Sequence, residues 1–225
     1  MGEAPDLTTF TVLHRAMRAD SARLAQAVAE MDEADRVARA TALARWYRGY
    51  MTELHDHHHI EDELFYPALR EKVPGSGVMI DRIDVDHEHL SDLLDRTGAL
   101  LTKLADPSVP FRSTHAEAVM VTEGLQALLD AHLGFEDDDV VPLFGVHFTA
   151  DQYDAIEEQA KQHVDFKQLF FVIPWVLAHC TDAERELLFE TSPFIFKAVW
   201  YVSRNRYAKL DRATFGESKL TPVAV

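Results

Sequence analysis

The chain of 225 residues has one cysteine, nine glycines and nine prolines. A single cysteine, Cys180, cannot form an internal disulfide or a cysteine-rich zinc site, which excludes a disulfide-stabilised secreted scaffold and a zinc ribbon. Glycine and proline lie mainly between long segments of helical periodicity, and strand-like alternation is nearly absent, which excludes a β-rich fold. The length allows one large domain, or a domain with a substantial extension.

Basic residues are also scarce. The chain has 22 lysines and arginines against 38 aspartates and glutamates, a formal net charge of −16 at pH 7. This balance argues against nucleic acid or an anionic membrane as a main partner. The longest apolar run, Phe170 to Ala178, contains Pro174 and is too short to cross a bilayer. We therefore expect a soluble, cytoplasmic protein.

Apolar side chains recur every three to four residues in four long segments, a spacing typical of amphipathic helices. These segments are residues 7–30, 35–72, 78–105 and 113–144. The connections between them are short, so neighbouring helices should run antiparallel. The sequence thus predicts an all-α protein built on an antiparallel, up-down four-helix bundle over residues 1–147.

Shorter amphipathic pieces follow over residues 148–225. They cover residues 150–172, 182–190 and 194–207, and we interpret the region as a helical C-terminal extension packed on the bundle. Its aromatic side chains, Trp175 among them, are suited to packing on the bundle or to forming a dimer surface. We favour packing, and a homodimer stays open.

Two His-xxx-Glu pairs lie on the apolar stripes of the second and fourth predicted helices: His57/Glu61 and His132/Glu136. Residues four apart share one helix face, so each pair can direct an imidazole nitrogen and a carboxylate oxygen to one point. A carboxylate in a core needs a charge partner, and these stripes offer no inward lysine or arginine. A metal ion supplies that charge. Imidazole with carboxylate suits iron, manganese or zinc, and two bridging carboxylates favour a dinuclear site.

The first and third predicted helices each add an inward histidine, His14 and His87. Counted from the turn near Gly75, Glu61 lies about 14 residues before and His87 about 12 residues after, so the two share one level of the bundle. A lone inward histidine is more often a satisfied core residue, but the neighbours that these two would meet add weight to a role as ligands.

Three other histidines have an acid four residues later, but we interpret them as bystanders, because spacing alone is weak evidence. They form the pairs His58/Asp62, His59/Glu63 and His147/Asp151, and the first two fall off the apolar line of their helix.

Four motifs, in order, resemble the hemerythrin-like HHE cation-binding family in the form common among actinobacteria. His14 comes first, followed by the segment His57-His58-His59-Ile60-Glu61-Asp62-Glu63-Leu64-Phe65-Tyr66-Pro67. The third motif is Arg82-Ile83-Asp84-Val85-Asp86-His87. The fourth is His132-Leu133-Gly134-Phe135-Glu136-Asp137, with Val141-Pro142-Leu143 after it. The resemblance covers about residues 7–145.

The resemblance implies a non-haem di-iron centre, with two iron ions joined by an oxo or hydroxo bridge. It assigns the ligands as terminal imidazoles and bridging carboxylates: His14, His57, His87, His132, Glu61 and Glu136. Oxygen-carrying members take two histidines four apart from the third helix, but Ile83 and Ser91 stand four residues from His87. Asp84, Tyr50 or solvent is expected to complete the shell.

The function implied is the binding of dioxygen or a related small oxidant, peroxide or nitric oxide, in the bundle core. An oxygen-rich or open site is also suited to redox reaction, so a di-iron oxidoreductase with catalase-like or peroxidase-like turnover is the alternative. Iron homeostasis and a metal-free helical interaction protein rank lower.

Overall fold

A computed structural model describes residues 3–216, which fold into helices joined by short connections. The long helices are α1 (Thr8–Ala29), α2 (Arg36–Ile60), α4 (Gly77–Leu104), α5 (Phe111–Phe135) and α10 (Phe194–Phe215). The shorter ones are α3 (Tyr66–Lys72), α6 (Val141–His147), α7 (Ala150–Ala160), α8 (Leu169–His179) and α9 (Asp182–Thr191). The predicted all-α bundle is confirmed. Residues 217–225 of the predicted extension lie outside the described residues.

Helices α1, α2, α4 and α5 form the bundle. Helix α4 packs against α2 and α5, and α5 also packs against α1. Helices α1 and α2 share only a small contact with each other, and α8 and α10 pack against both of them. Leu24, Leu43 and Leu125 of the bundle share one apolar core with Trp175 and Trp200 of the C-terminal helices. The division of the chain at residue 147 stays a prediction.

The second and fourth predicted helices each contain a π-helical turn that the sequence analysis did not anticipate. These turns cover Glu61–Phe65 and Glu136–Val140. In each, the backbone N–H that closes the turn bonds to the carbonyl five residues back, Tyr66 to Glu61 and Val141 to Glu136. A proline follows at once, and a proline inside a helix has no N–H and crowds the carbonyl four residues before it. The wider turn accommodates that proline and the helical path continues.

The C-terminal helices correct one predicted segment. Residues 150–172 do not form one helix, because residues 161–168 form turns and bends between α7 and α8. Helix α8 continues through Pro174 to His179, since Ile173, Trp175 and Leu177 are buried against the bundle and packing outweighs the lost hydrogen bond. Within the described residues, 3–216, no helix has the length and apolar character needed to cross a membrane.

A buried polar cluster joins α1 to α8 and α10. Asp20 accepts a hydrogen bond of 2.8 Å from Trp175 Nε1 and lies 3.2 Å from His179 Nε2. Arg23 donates to Asp20 at 2.9 Å and to Asp211 at 3.0 Å. Burial alone would raise the pKa of Asp20, but hydrogen bonding and charge from His179 and Arg23 outweigh it and hold that pKa at about 2. The carboxylate is therefore charged and paired inside the protein.

Candidate metal centre

The histidines and glutamates predicted as ligands meet in the bundle interior. Four helical segments contribute: α1, the end of α2 with its π-helical turn, α4, and the end of α5 with its π-helical turn. Each of the predicted side chains is at least nine-tenths buried, and they are His14, His57, Glu61, His87, His132 and Glu136. The ligand atoms fall into two groups that together contain these residues and one more histidine.

The first group contains His14 and His57. Their Nε2 atoms lie 3.1 Å apart, and His57 Nε2 is 3.2 Å from Glu61 Oε1. His14 Nε2 also lies 3.9 Å from Glu61 Oε1 and 3.7 Å from Glu136 Oε2. Two imidazole nitrogens and two carboxylate oxygens thus surround one point, close enough to hold one metal ion.

The second group contains His87, His132 and His58. His87 Nε2 lies 3.8 Å from Glu61 Oε2 and 3.9 Å from Glu136 Oε1. His132 Nε2 lies 3.4 Å from Glu136 Oε1. The His58 ring stacks on His87 at 4.2 Å and meets His132 edge-on at 5.3 Å. Three imidazoles therefore face a second point.

His58 corrects the sequence interpretation, which set it aside as a bystander off the apolar line. Neighbouring residues on a helix are about 100° apart, and both His57 and His58 can face a centre that lies between several helices. The two side chains are buried and contribute to different groups. The adjacent His57-His58 pair was the signal in the sequence that would have revealed this.

Glu61 and Glu136 each divide their two oxygens between the groups. Glu61 turns Oε1 toward His57 and Oε2 toward His87. Glu136 turns Oε2 toward His14 and Oε1 toward His132. Both carboxylates therefore lie between the two histidine groups, with one oxygen available to each.

A second set of carboxylates lies behind the histidines. Asp137 is 2.8 Å from His14 Nδ1, and Asp62 is 2.9 Å from His87 Nδ1. Asp86 Oδ2 faces His132 Nδ1 at the longer distance of 3.8 Å. A carboxylate on Nδ1 fixes the imidazole tautomer and leaves the lone pair of Nε2 directed inward, as in metal sites. Sequence reasoning missed these residues, although the two Glu-Asp dipeptides were visible.

Tyr66 is a further residue that the sequence analysis did not assign. It follows the first π-helical turn, and its buried hydroxyl donates a hydrogen bond to Glu136 Oε1. Burial and the negative charges of Glu136 and Glu61 raise the pKa of Tyr66 well above its usual value. The phenol therefore remains a proton donor at a Glu136 oxygen that lies between the two histidine groups.

Several polar atoms of this centre have no hydrogen-bond partner among the described residues. They are His58 Nε2, His87 Nε2, His132 Nε2, both oxygens of Glu61, and Glu136 Oε2. Buried polar atoms without partners are costly and rare, and here they converge on the same volume. Imidazole nitrogens with carboxylate oxygens are a donor set for iron, manganese or zinc, so the residues fit a metal cofactor.

The protonation states agree with this fit. Burial and the neighbouring imidazoles lower the pKa of His57 and His58 well below the usual value, and to about 2 for His132. Burial raises the pKa of Glu136 to about 8, and burial with the adjacent Glu136 charge raises that of Glu61. These three imidazoles are thus neutral, which is the form that binds metal, and metal binding would displace a proton from the Glu136 carboxyl group.

The two residues suggested as additional ligands are placed elsewhere. Asp84 lies on the surface, where its carboxylate accepts a hydrogen bond of 3.2 Å from Arg70, because its position on α4 points away from the bundle. Tyr50 is buried, but its hydroxyl donates to the carbonyl of Met17 at 2.8 Å. The structure instead brings His58 to the position they were expected to fill.

Comparison with protein-family models supports the same conclusion. The model of the hemerythrin HHE cation binding domain matches residues 6–144, which include every histidine and glutamate of the two groups. Comparisons with curated proteins and with solved structures gave no match. The motif order, the helical bundle and the family match agree, and the chain belongs to the hemerythrin HHE cation-binding domain family.

Proposed function

We propose that this chain is a non-haem di-iron protein that binds dioxygen or a related small oxidant, peroxide or nitric oxide, in the bundle core. One observation carries the proposal: Glu61 and Glu136 each direct one oxygen to each of the two histidine groups. A single mononuclear site would not need two carboxylates placed between two sets of imidazoles. Two metal ions, one at each histidine group and both bound by the two carboxylates, would give every one of these imidazole nitrogens and carboxylate oxygens a metal to bind.

The two groups differ in the number of histidines they offer. His14 and His57 would serve one ion, and His58, His87 and His132 the other, with both glutamates shared. An iron ion that accepts six ligand atoms would keep more positions for solvent or an oxidant on the two-histidine side. Iron supplies the electron transfer to a bound oxidant when it occupies such a site.

The protein's own part is to orient ligands and to exclude water. Asp137 and Asp62 hold His14 and His87 by their Nδ1 atoms. The Phe10 ring lies 4.6 Å from His14 and 5.6 Å from His57, which places apolar surface directly against the first group. A second apolar cluster, which includes Phe65, Phe144 and Tyr153, closes the bundle end next to the π-helical turns. Small neutral molecules are therefore the ligands that this interior suits best.

A di-iron oxidoreductase with catalase-like or peroxidase-like turnover is the second candidate, and Tyr66 favours it. Its hydroxyl holds a proton against Glu136 inside the site, where a reaction that reduces peroxide consumes protons. A simple oxygen carrier does not need a proton donor there. Tyr66→Phe removes the donor and keeps the ring, so it separates the two functions.

The test is elemental analysis of the purified full chain, together with its near-ultraviolet spectrum before and after hydrogen peroxide. We expect about two irons per chain and charge-transfer absorption that responds to peroxide. His57→Ala and Glu136→Ala should remove both the iron and the response, and retention of either would overturn the proposal. A stoichiometric spectral change indicates a binder, and continuous oxygen evolution or reductant consumption that Tyr66→Phe slows indicates an enzyme. Absence of iron after anaerobic reconstitution with ferrous salt would reject both.

A further inference from the structure

A surface groove between α2 and α10 lies away from the metal centre. Its volume is about 400 Å³. The residues that line it are Ala38, Thr41, Ala42, Arg45, Arg206, Lys209, Leu210 and Ala213. Small and apolar side chains form most of this lining, and three cations supply its charge. The volume lies within the range of small-molecule sites.

The three cations of this groove, Arg45, Arg206 and Lys209, are exposed and have no ion pair or hydrogen bond with another residue of the described range. Several exposed or half-exposed arginines elsewhere in the chain are paired, although Arg112 is not. Arg15 contacts Glu184 at 2.6 Å, and Arg70 contacts Asp81 at 2.6 Å. Acids outnumber bases by 38 to 22, yet the described lining of the groove brings three cations together without an acidic residue. This clustering, and not the lack of a partner at any single arginine, distinguishes the groove.

Among residues 3–216 no acidic side chain lines the groove, so the described lining is positively charged in a protein whose net charge is −16. Thr41 adds no free donor, because its hydroxyl donates to the carbonyl of Val37 at 2.6 Å. Recognition in the groove therefore depends on two guanidinium groups and one ammonium group. A guanidinium group binds phosphoryl oxygens with two parallel hydrogen bonds, and lysine adds a point charge.

We propose that this groove binds a small organic phosphate carrying at least two negative charges. The lined part of α2 runs from Ala38 to Arg45, about 10 Å at the helical rise, which is the length of a diphosphate or triphosphate group with part of its organic moiety. The organic moiety packs on Ala42, Leu210 and Ala213, and the phosphoryl groups lie against the cations. This site is independent of metal binding, since none of its residues contributes to the centre between the bundle helices.

Isothermal titration calorimetry of the full chain with pyrophosphate and with ATP tests the proposal, with adenosine as the uncharged comparison. The metal content is measured before and after each titration, because phosphates also chelate metal ions. Arg206→Ala and Arg45→Ala should each weaken binding of ATP at least tenfold. Ala213→Phe should block binding while leaving the three cations in place. Arg112→Ala is the matched control, since Arg112 is exposed, makes no ion pair in the described chain and lies outside the groove.

Binding of ATP or pyrophosphate that the groove variants weaken and Arg112→Ala preserves supports the proposal. No heat up to millimolar ligand, or binding that the groove variants leave unchanged, overturns it. A glutamate-rich peptide or a short single-stranded oligonucleotide that binds tenfold more tightly than ATP, through the same residues, would also overturn it and assign the groove to a macromolecule. Circular dichroism of each variant identifies any loss that arises from unfolding.

Discussion

Asp137 and His14 form a 2.8 Å contact between the Oδ1 atom of the carboxylate and the Nδ1 atom of the imidazole. His14 is fully buried, whereas Asp137 is partly exposed and also meets Arg18 at 3.5 Å. The contact holds the His14 ring with Nε2 toward His57, Glu61 and Glu136. Orientation of this ligand therefore depends on a residue that does not itself reach the centre.

Asp137→Asn should lower metal affinity by about 10- to 100-fold, because the charge that holds the His14 tautomer is lost. The measurement is competition for ferrous ion against a chelator of known affinity. Asp138→Asn is the control, since Asp138 is exposed on the same π-helical turn. Equal affinities for the two variants would show that Asp137 does not orient His14.

His58→Gln should reduce the metal content of the purified chain, since it removes one of the three imidazoles of the second group. We expect a fall from about two metal ions toward about one, because five protein ligand atoms drop to four on that side. His59→Gln is the control, as His59 is exposed and next in sequence. If His59→Gln lowers the metal content as much as His58→Gln does, the assignment of His58 is wrong.

Glu61→Gln should stabilise the metal-free protein and abolish stable metal binding. Both Glu61 oxygens are buried without a hydrogen-bond partner among the described residues, and burial with the Glu136 charge raises the pKa of Glu61, so the metal-free fold requires the group to give up its charge more readily than usual. Glutamine carries no charge and avoids that requirement. We therefore expect the free energy of unfolding of the metal-free protein to rise by about 1–3 kcal/mol. Urea unfolding of both proteins after chelation, and again with ferrous ion, measures it. A variant less stable than the chelated wild type would contradict the account.

Asp20→Asn should lower the free energy of unfolding at pH 7 by about 2 kcal/mol, the value of a pKa held near 2 instead of near 4. A lowered folded-state pKa means that the stabilisation is complete above the unfolded-state pKa, about 4. It is lost as the pH falls through about 2, where the folded carboxylate takes up its proton. The difference between wild type and variant should therefore be constant from pH 7 to about 4.5 and shrink below that.

Chelated protein is used for this pH series, so that metal release does not contribute. Asp32→Asn, at an exposed acid between α1 and α2, is the control and should change stability little at any pH. The difference in the free energy of unfolding between wild type and Asp20→Asn should not grow toward low pH. If it does, folding raises the pKa of Asp20 instead of lowering it, and the ion-pair explanation is wrong.

Gly49→Ala should destabilise the protein by about 1–3 kcal/mol, because a Cβ atom at this site of α2 would meet the Phe171 ring at 2.5 Å. Gly49 also accepts a hydrogen bond of 2.7 Å from Gln168, so the position attaches α8 to the bundle. Thermal unfolding measures the loss. At Gly98, inside α4, a Cβ would find ordinary contact at 3.5 Å. Gly98→Ala should therefore be neutral or stabilising by up to about 1 kcal/mol. If Gly49→Ala and Gly98→Ala lower the stability by similar amounts, the close approach of α8 to Gly49 is contradicted.

The sequence by itself determined the long helices and the side chains that face inward from them. Periodicity of apolar residues placed both ends of α1 and α4, and the starts of α2 and α5, within one or two residues of their observed positions, because burial of one helix face imposes that spacing. The second and fourth predicted helices continued to residues 72 and 144, whereas α2 ends at Ile60 and α5 at Phe135, each followed by a π-helical turn and a short helix. His57 with Glu61, and His132 with Glu136, followed from helical geometry alone. Periodicity also turned His14 and His87 inward, and the family resemblance implied that they serve as ligands. A family model matches residues 6–144, which contain all of these positions.

Only the tertiary structure decided which atoms meet. His58 and Asp84 show why: both lie within motifs that the sequence analysis quoted, yet one is buried against His87 and the other is paired with Arg70 on the surface. The direction of a side chain near a bundle centre depends on helix rotation, which the π-helical turns change locally and which no sequence period encodes. The sharing of Glu61 and Glu136 between two histidine groups likewise depends on contacts between four separate helical segments. Those contacts exist only after the chain has folded.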